Sequence, residues 1–357
     1  MDIAADKHDP IASLQSFLED DDLKVERLME PLRARYVESD RDDVIRKALK
    51  KLHRNACARR NPQLPRSDGN RKPGIGFVVV SESGAGKTTT LERIFGEYPA
   101  FQGFGVVGSA CPILRIEAPS PCTLKQLAMM ILEELGYDIE RDLRENLAWK
   151  RARKMLKLHG IFFLWIDEVA NVLHQASDHE IRKVADTLRG LMLSRRWPVQ
   201  IILSGVPELE GLLAVDRQLR RRLTYITFPC VSAQNDADLV EQAIHNYAKA
   251  AKLNVNIAAD DMLIGRLCHA AVHQFGLVME IIVDAIEACL LDGNDTLLID
   301  DFAHAYSGRT LQPIDQNPFV VPTWETLDCS AIRKKVREAL GDAVDAPPRT
   351  KPRRRRR

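Results

Sequence analysis

Residues 81–90, SESGAGKTTT, follow an apolar, β-branched run, IGFVVV at 75–80, and lead into a helical pattern whose first core positions are Leu91 and Ile94. Glycines at 84 and 86 let backbone N–H groups turn inward around an anion, and Lys87 adds a point charge for the outer phosphates of a nucleotide. Thr88 offers a hydroxyl to Mg²⁺, and the helix beginning here points its positive dipole end at the phosphates. The cofactor-binding set is therefore Ser83, Gly84, Ala85, Gly86, Lys87, Thr88 and Thr89. The usual pattern opens with Gly where this chain has Ser81. That position falls at the strand end rather than at the phosphates, so the departure bears on the local turn and not on the nucleotide site.

A second run, IFFLWIDE at 161–168, ends in two carboxylates. A strand apolar on both faces belongs in the middle of a parallel sheet covered by helices, and ligands of such sheets bind at the C-terminal strand ends. Asp167 is placed to hold Mg²⁺ with Thr88, and Glu168 to polarise an attacking water. A third run, VQIIL at 199–203, ends in Ser204, which either sits beside the γ-phosphate or only caps the turn. Arginines at 217, 220, 221 and 222 precede a short strand at 225–228.

These groups need a sheet to hold them. Strands at about 75–80, 113–116, 161–167, 199–203 and 225–228 alternate with helices, implying a three-layer α/β domain with a parallel central sheet. The helices between them include 143–158, basic through Lys150, Arg151, Lys154 and their neighbours, and 181–193. Before the sheet, residues 11–35 read as two short helices parted by an acidic break at 19–22, and 42–59 as a third with a basic face of Arg46, Lys50, Lys51 and Arg54. Residues 61–73, NPQLPRSDGNRKP, read as a linker. After residue 230 the pattern is wholly helical, at 239–249, 260–271, 277–291 and 299–306, followed by a proline-containing stretch and a short helix at 331–340. The expected division is an N-terminal helical extension and linker over 1–73, a core over 74–230, a helical lid over 231–310 and a C-terminal extension over 311–357. His269 and His273, at i and i+4 on a helix, lack a third ligand for a metal, and Trp165 reads as core.

The net charge of +1 conceals an asymmetry: residues 349–357 hold seven positive charges, leaving −6 for residues 1–348. Such a tail stays disordered, and nucleic acid or mere solubility accounts for it equally well. Seven cysteines without CxxC spacing read as reduced, mostly buried thiols, not a disulfide framework or zinc site. No apolar run approaches a membrane span and residues 1–10 are too acidic and polar for a signal peptide, so the expectation is a cytoplasmic protein with no membrane partner.

With SESGAGKT, FFLWIDEVANVL, IILSGVPEL, QLRRRL and a late NPF at 317–319 in this order, the sequence resembles the AAA+ ATPases, and within them the TniB/TnsC group of transposition ATPases. The resemblance spans about residues 40–320. It implies an AAA+ P-loop NTPase fold with a small helical lid, ATP and Mg²⁺ as cofactors, and hydrolysis. By position it implies that Lys87 and Thr88 bind phosphates and Mg²⁺, Asp167 is the Mg²⁺ carboxylate, Glu168 the catalytic base and Ser204 the first sensor. Arg222 best matches the arginine that reaches a neighbouring subunit's site, with Arg217, Arg220 and Arg221 competing. No arginine follows Gly276 where many such lids carry one, since Met279 and Glu280 stand there, which implies slow turnover and ATP used as an assembly switch. The implied partners are double-stranded DNA, a transposase, a TniQ-type target selector and further copies of the chain. DNA contacts are expected on Lys125, Lys150, Arg151 and Lys154. Alternatives are a helicase loader or replication initiator, and a nucleotide-switch adaptor that does not hydrolyse.

Overall fold

The computed structural model describes residues 14, 17–106, 108–119, 122–138, 143–172, 176–255 and 262–333. The described residues fall into two compact units, one within residues 38–229 and the other from those within 14–37 and 230–333.

In the first unit, helix α2 (Asp40–Cys57; α1 belongs to the other unit) precedes strand β1 (Gly76–Val80) and helix α3 (Lys87–Glu97). There follow β2 (Ile113–Glu117), α4 (Leu124–Glu134), α5 (Glu145–Leu158), β3 (Phe163–Asp167), α6 (Asp178–Met192) and β4 (Gln200–Gly205). Two short helices, α7 (Glu210–Val215) and α8 (Arg217–Arg220), lead to β5 (Leu223–Thr227). The sheet order is β2-β3-β4-β1-β5, and every pair is parallel. β1, β3 and β4 are buried along their whole length, as strands covered on both faces must be. Side chains alternate between the faces: Phe77, Val79, Phe163, Trp165 and Ile202 pack with Ile45, Leu49 and Leu52 of α2 and Leu91, Ile94 and Phe95 of α3. Val78, Val80, Leu164, Ile166 and Leu203 pack on the other side with α4, α5 and α6.

Register then levels the strand ends. Val80 pairs with Gly205, Ile166 with Leu203 and Glu117 with Asp167, so the residues that follow β1, β3 and β4 meet on one edge. At the opposite edge, Gly74 approaches β4 so closely that an added Cβ would lie 2.1 Å from the Val199 carbonyl oxygen. Gly74→Ala is expected to destabilise the unit by about 1–3 kcal/mol, read as a lower urea midpoint with unchanged slope.

Residues 61–73, expected as a linker, form a folded loop. The buried Asn70 amide donates to the carbonyls of Asn61, Leu64 and Pro65 at 2.9, 3.1 and 3.0 Å, and its oxygen accepts from the Asn61 N–H at 2.7 Å. Buried Gln200 fixes the residues flanking this segment to the sheet, its side-chain oxygen accepting from Ile75 N–H at 3.0 Å and Asn55 Nδ2 at 3.1 Å, and Asn55 Nδ2 also donates to Pro73 O at 2.9 Å. The sequence pattern does not reveal this loop because its cohesion comes from Asn70 and Arg59 side chains bonded to loop carbonyls, contacts that leave no period in the sequence.

The second unit is helical: α1 (Asp20–Arg33), α9 (Ala233–Ala250), α10 (Leu263–Ala270), α11 (Phe275–Leu291) and α12 (Ile299–Thr310), with a two-stranded parallel ladder of β6 (Asn254–Val255) and β7 (Thr296–Leu297). The acidic break expected at 19–22 is instead the first turn of α1, where Asp20, Asp21 and Asp22 suit the positive helix end. Met29 and Leu32 of α1 share a core with α9 to α12 and with Phe319, Cys329 and Ile332. Asn317, the first residue of the NPF stretch, anchors that segment by donating to Ala303 O at 2.8 Å and Ser307 Oγ at 3.0 Å. Most of the helix read at 11–18, residues 334–340 and the arginine-rich tail lie outside the described residues. No helix among the described residues is long and apolar enough to cross a membrane. All seven cysteines are free and five are buried; burial pushes the thiols of Cys122, Cys268 and Cys289 up to about 11.

Candidate nucleotide site

The loop between β1 and α3 turns through Gly84 and Gly86 at φ of +80° and +85°, a region open to glycine and strained for other residues. Gly86 is the left-handed cap from which α3 starts at Lys87. Ser81, the departure from the usual pattern, donates its N–H to Gly205 O at 3.3 Å, so it closes the β1 end against β4. Lys87 is only 5% exposed, and its Nζ donates to Ser81 O at 2.8 Å and Glu82 O at 2.9 Å. Burial lowers its pKa, opposed by the charges of Glu168, Asp167 and Glu82. Ala85 is buried, while Ser83 and Thr89 lie exposed at the rim.

Asp167, at the end of β3, is 1% exposed and fully engaged. Its Oδ2 accepts from Thr88 Oγ1 at 2.8 Å, and its Oδ1 accepts from Ser204 Oγ at 2.5 Å and Glu168 N–H at 3.1 Å. Ser204 is itself fully buried and accepts from Trp165 Nε1 at 2.7 Å. Its single proton is therefore committed to Asp167, and it does not cap the turn after β4. Trp165 is core, as expected, yet its indole N–H orients the serine that holds the carboxylate. Ser204→Ala and Trp165→Phe are each expected to cost about 1–3 kcal/mol, and a double-mutant cycle should find them strongly non-additive because both break one chain of hydrogen bonds.

Glu168 follows directly with φ of +50°, a strained value for a non-glycine residue. Burial raises its pKa, the Lys87 charge pulls it back, and Asp167 and Glu117 push it up further. A half-buried carboxyl with a raised pKa, beside a phosphate-type loop, has the properties of a general base.

Two arginines at the site lie outside every motif. Arg115 of β2 pairs with Glu92 one turn beyond Thr88, approaches Asp167 Oδ2 at 3.6 Å and Glu117 at 3.9 Å, and lies 4.8 Å over the Trp165 ring. An arginine inside the otherwise apolar ILRI run is the signal that could have found it. Arg41 of α2 donates to the loop carbonyl of Ala85 at 3.1 Å, a contact with no local signature.

Lys87, Thr88, Asp167, Glu168 and Ser204 thus converge on the C-terminal edge of the sheet. Arg222 does not join them: it is half-buried at the opposite edge, 3.5 Å from Gly74 O, while Arg217, Arg220 and Arg221 are exposed. Of the expected DNA-contacting residues, Lys150 and Lys154 are exposed, Lys125 is half-buried and Arg151 lies 5.4 Å over the Tyr137 ring. In the helical unit Glu280 pairs with Arg309 at 2.6 Å. His269 and His273 each place a ring nitrogen 3.0 Å from a backbone carbonyl, of Leu327 and Val231, and no cluster of His, Cys, Asp or Glu among the described residues is fit to hold a metal without further donors.

The family described as bacterial TniB protein matches residues 33–232. No curated protein matches the chain. Cdc6p from Pyrobaculum aerophilum is similar in structure, at 13% identity and a TM-score of 0.53 over 78% of this chain and 70% of that one. The Aeropyrum pernix ORC1 protein, solved in complex with DNA, is similar at 14% identity and a TM-score of 0.51 over 93% of this chain and 80% of that one. These likenesses establish the fold, the five-stranded parallel sheet with helices of an AAA+ P-loop NTPase.

Proposed function

Because the chain belongs to the TniB family, we propose that it is a Mg²⁺-dependent ATPase acting as a DNA-binding regulator of transposition. Copies of the chain assemble on target duplex DNA in the ATP-bound state, and the assembly recruits or activates a transposase at a target chosen with a TniQ-type selector. Hydrolysis dismantles it. The observation that carries the reading is the juxtaposition, in a chain of this family, of the loop residues Lys87 and Thr88 with Asp167 and Glu168.

The residues fit the cofactors. A hydroxyl and a carboxylate 2.8 Å apart, Thr88 and Asp167, are hard oxygen donors of the kind Mg²⁺ takes. Bound there, Mg²⁺ would neutralise charge on the β- and γ-phosphates. Lys87 exchanges its carbonyl partners for phosphate oxygens, Ser204 keeps Asp167 in place, and Glu168 accepts the proton of the attacking water. Arg222 completes the site of a neighbouring subunit, with Arg217, Arg220 and Arg221 as exposed competitors. Glu280 stands where a lid arginine would accelerate closure, which favours slow turnover. We also propose residues 1–73, 74–230, 231–310 and 311–357 as the functional divisions.

Sedimentation and negative-stain imaging with duplex DNA test this reading. Rings or filaments on DNA with ATP and Mg²⁺, absent with ADP and in Lys87→Ala and persistent in Glu168→Gln, are expected. A chain that stays monomeric and off DNA in every nucleotide state would sink it, and assembly without turnover would point to a nucleotide-switch adaptor.

A further inference from the structure

We propose that the sheet edge opposite the nucleotide site, in the unit of residues 38–229, is the face that lies against the sugar–phosphate backbone of duplex DNA. This rests on the DNA-binding reading above and names its surface. In a parallel sheet all N-terminal strand ends share one edge, so the segments preceding β1, β3 and β4 meet there although they are far apart in sequence. Residues 58–73, 153–162 and 193–199 bring five, three and two Lys or Arg to that edge and a single acidic residue, Asp68. The chain up to residue 348 carries a net −6, so this edge is a local inversion of its charge.

The segments are fastened together. The Arg71 guanidinium lies 5.0 Å over the Phe162 ring and 4.4 Å over the Trp197 ring, and those rings are 4.3 Å apart. Trp197 Nε1 donates to Ile161 O at 2.6 Å, and Lys157 pairs with Asp68. The hydrogen bonds of Asn70 hold the first segment in shape, and Asn55 Nδ2 donates to its last carbonyl, Pro73 O, at 2.9 Å. A cavity of about 500 Å³ opens here, lined in part by Arg59, Arg66 and Arg71.

Of the ten cations on these segments, Arg71 and Lys157 pair with Asp68. Among the described residues no carboxylate pairs with Arg60, Lys72, Arg153, Lys154, Arg195 or Arg196, and all six are exposed. A merely solvated face intersperses both signs, whereas a run of one sign on a rigid frame accumulates counterions that a polyanion releases on binding. Lys150 and Lys154 continue this face along α5.

Anisotropy of a fluorescein-labelled duplex, titrated with full-length protein and a slowly hydrolysed ATP analogue across a salt series, tests the assignment. The triple variant Lys154→Glu, Arg195→Glu, Arg196→Glu is expected to bind about 10–100-fold more weakly at physiological salt and to flatten the log–log salt slope by about 2–3. The pair Lys47→Glu, Lys50→Glu on α2 should stay near wild type. Binding of a fluorescent ATP analogue at wild-type affinity by every variant shows that the fold is intact. If wild type binds DNA and the triple variant keeps its affinity and slope, the surface assignment is overturned and the edge serves another partner, such as an acidic protein. If wild type itself fails to bind duplex in any nucleotide state, the DNA-binding reading falls, and the assignment with it.

Discussion

Glu168→Gln is expected to cut ATP turnover by about 10²–10⁴-fold while leaving nucleotide affinity within a few-fold. Glutamine keeps the size and the backbone φ of +50° but cannot take a proton from water. The pH profile carries the sharper signature. Burial raises the Glu168 pKa, and a base works only when ionised, so wild-type turnover should fall as pH drops through a value above the ordinary carboxylate range. Stability runs the other way. A carboxyl whose folded pKa exceeds its unfolded one binds its proton more tightly when folded, so its contribution to stability declines as pH rises through that window. Glu168→Gln removes that dependence, and its melting midpoint near neutral pH should equal or exceed that of wild type. Steady-state turnover and thermal melts over the same pH series check both limbs. Wild-type turnover in the variant would remove Glu168 from the mechanism.

Lys87→Ala is expected to weaken binding of ATP with Mg²⁺ by about 10²-fold or more, since a charge-assisted contact in a dry site is lost. The lysine is 5% exposed and its ammonium already satisfies the carbonyls of Ser81 and Glu82, so the truncation also leaves the start of the loop without its internal donor. Lys87→Arg should not rescue binding, because a planar guanidinium does not fit a pocket shaped around a compact ammonium. Burial lowers the Lys87 pKa, so nucleotide affinity in wild type should weaken as pH rises toward a value below that of ordinary lysine. Isothermal titration with ATP across pH measures this, and undiminished affinity in Lys87→Ala would place the phosphates elsewhere.

The placement of Lys87 and Glu168 is legible in the sequence because each sits in a contiguous segment. SESGAGKT and FFLWIDE each join a strand to a functional turn, and the parallel sheet that both demand leaves one edge on which they can meet. The helical second unit is also legible from its periodicity, with boundaries off by a few residues where caps such as Ser232 start a helix early. The acidic start of α1 reads as a break because composition alone does not separate a helix N-terminus from a loop.

What the chain alone determines, then, is the class of fold and the strand-to-turn segments that carry Lys87, Asp167 and Glu168, since local spacing and strand hydrophobicity suffice for both. The tertiary structure decides what depends on register and crossing. It sets Trp165 and Ser204 as the hold on Asp167, brings Arg115 and Arg41 to the site from elements that carry no motif, and puts Arg222 at the far edge. It also turns residues 61–73 from an apparent linker into part of a basic edge whose members come from three separate segments. A hydrogen bond or ion pair between residues tens of positions apart leaves no period in the sequence. Only the pairing of strands fixes which of those residues come within a few ångströms of each other.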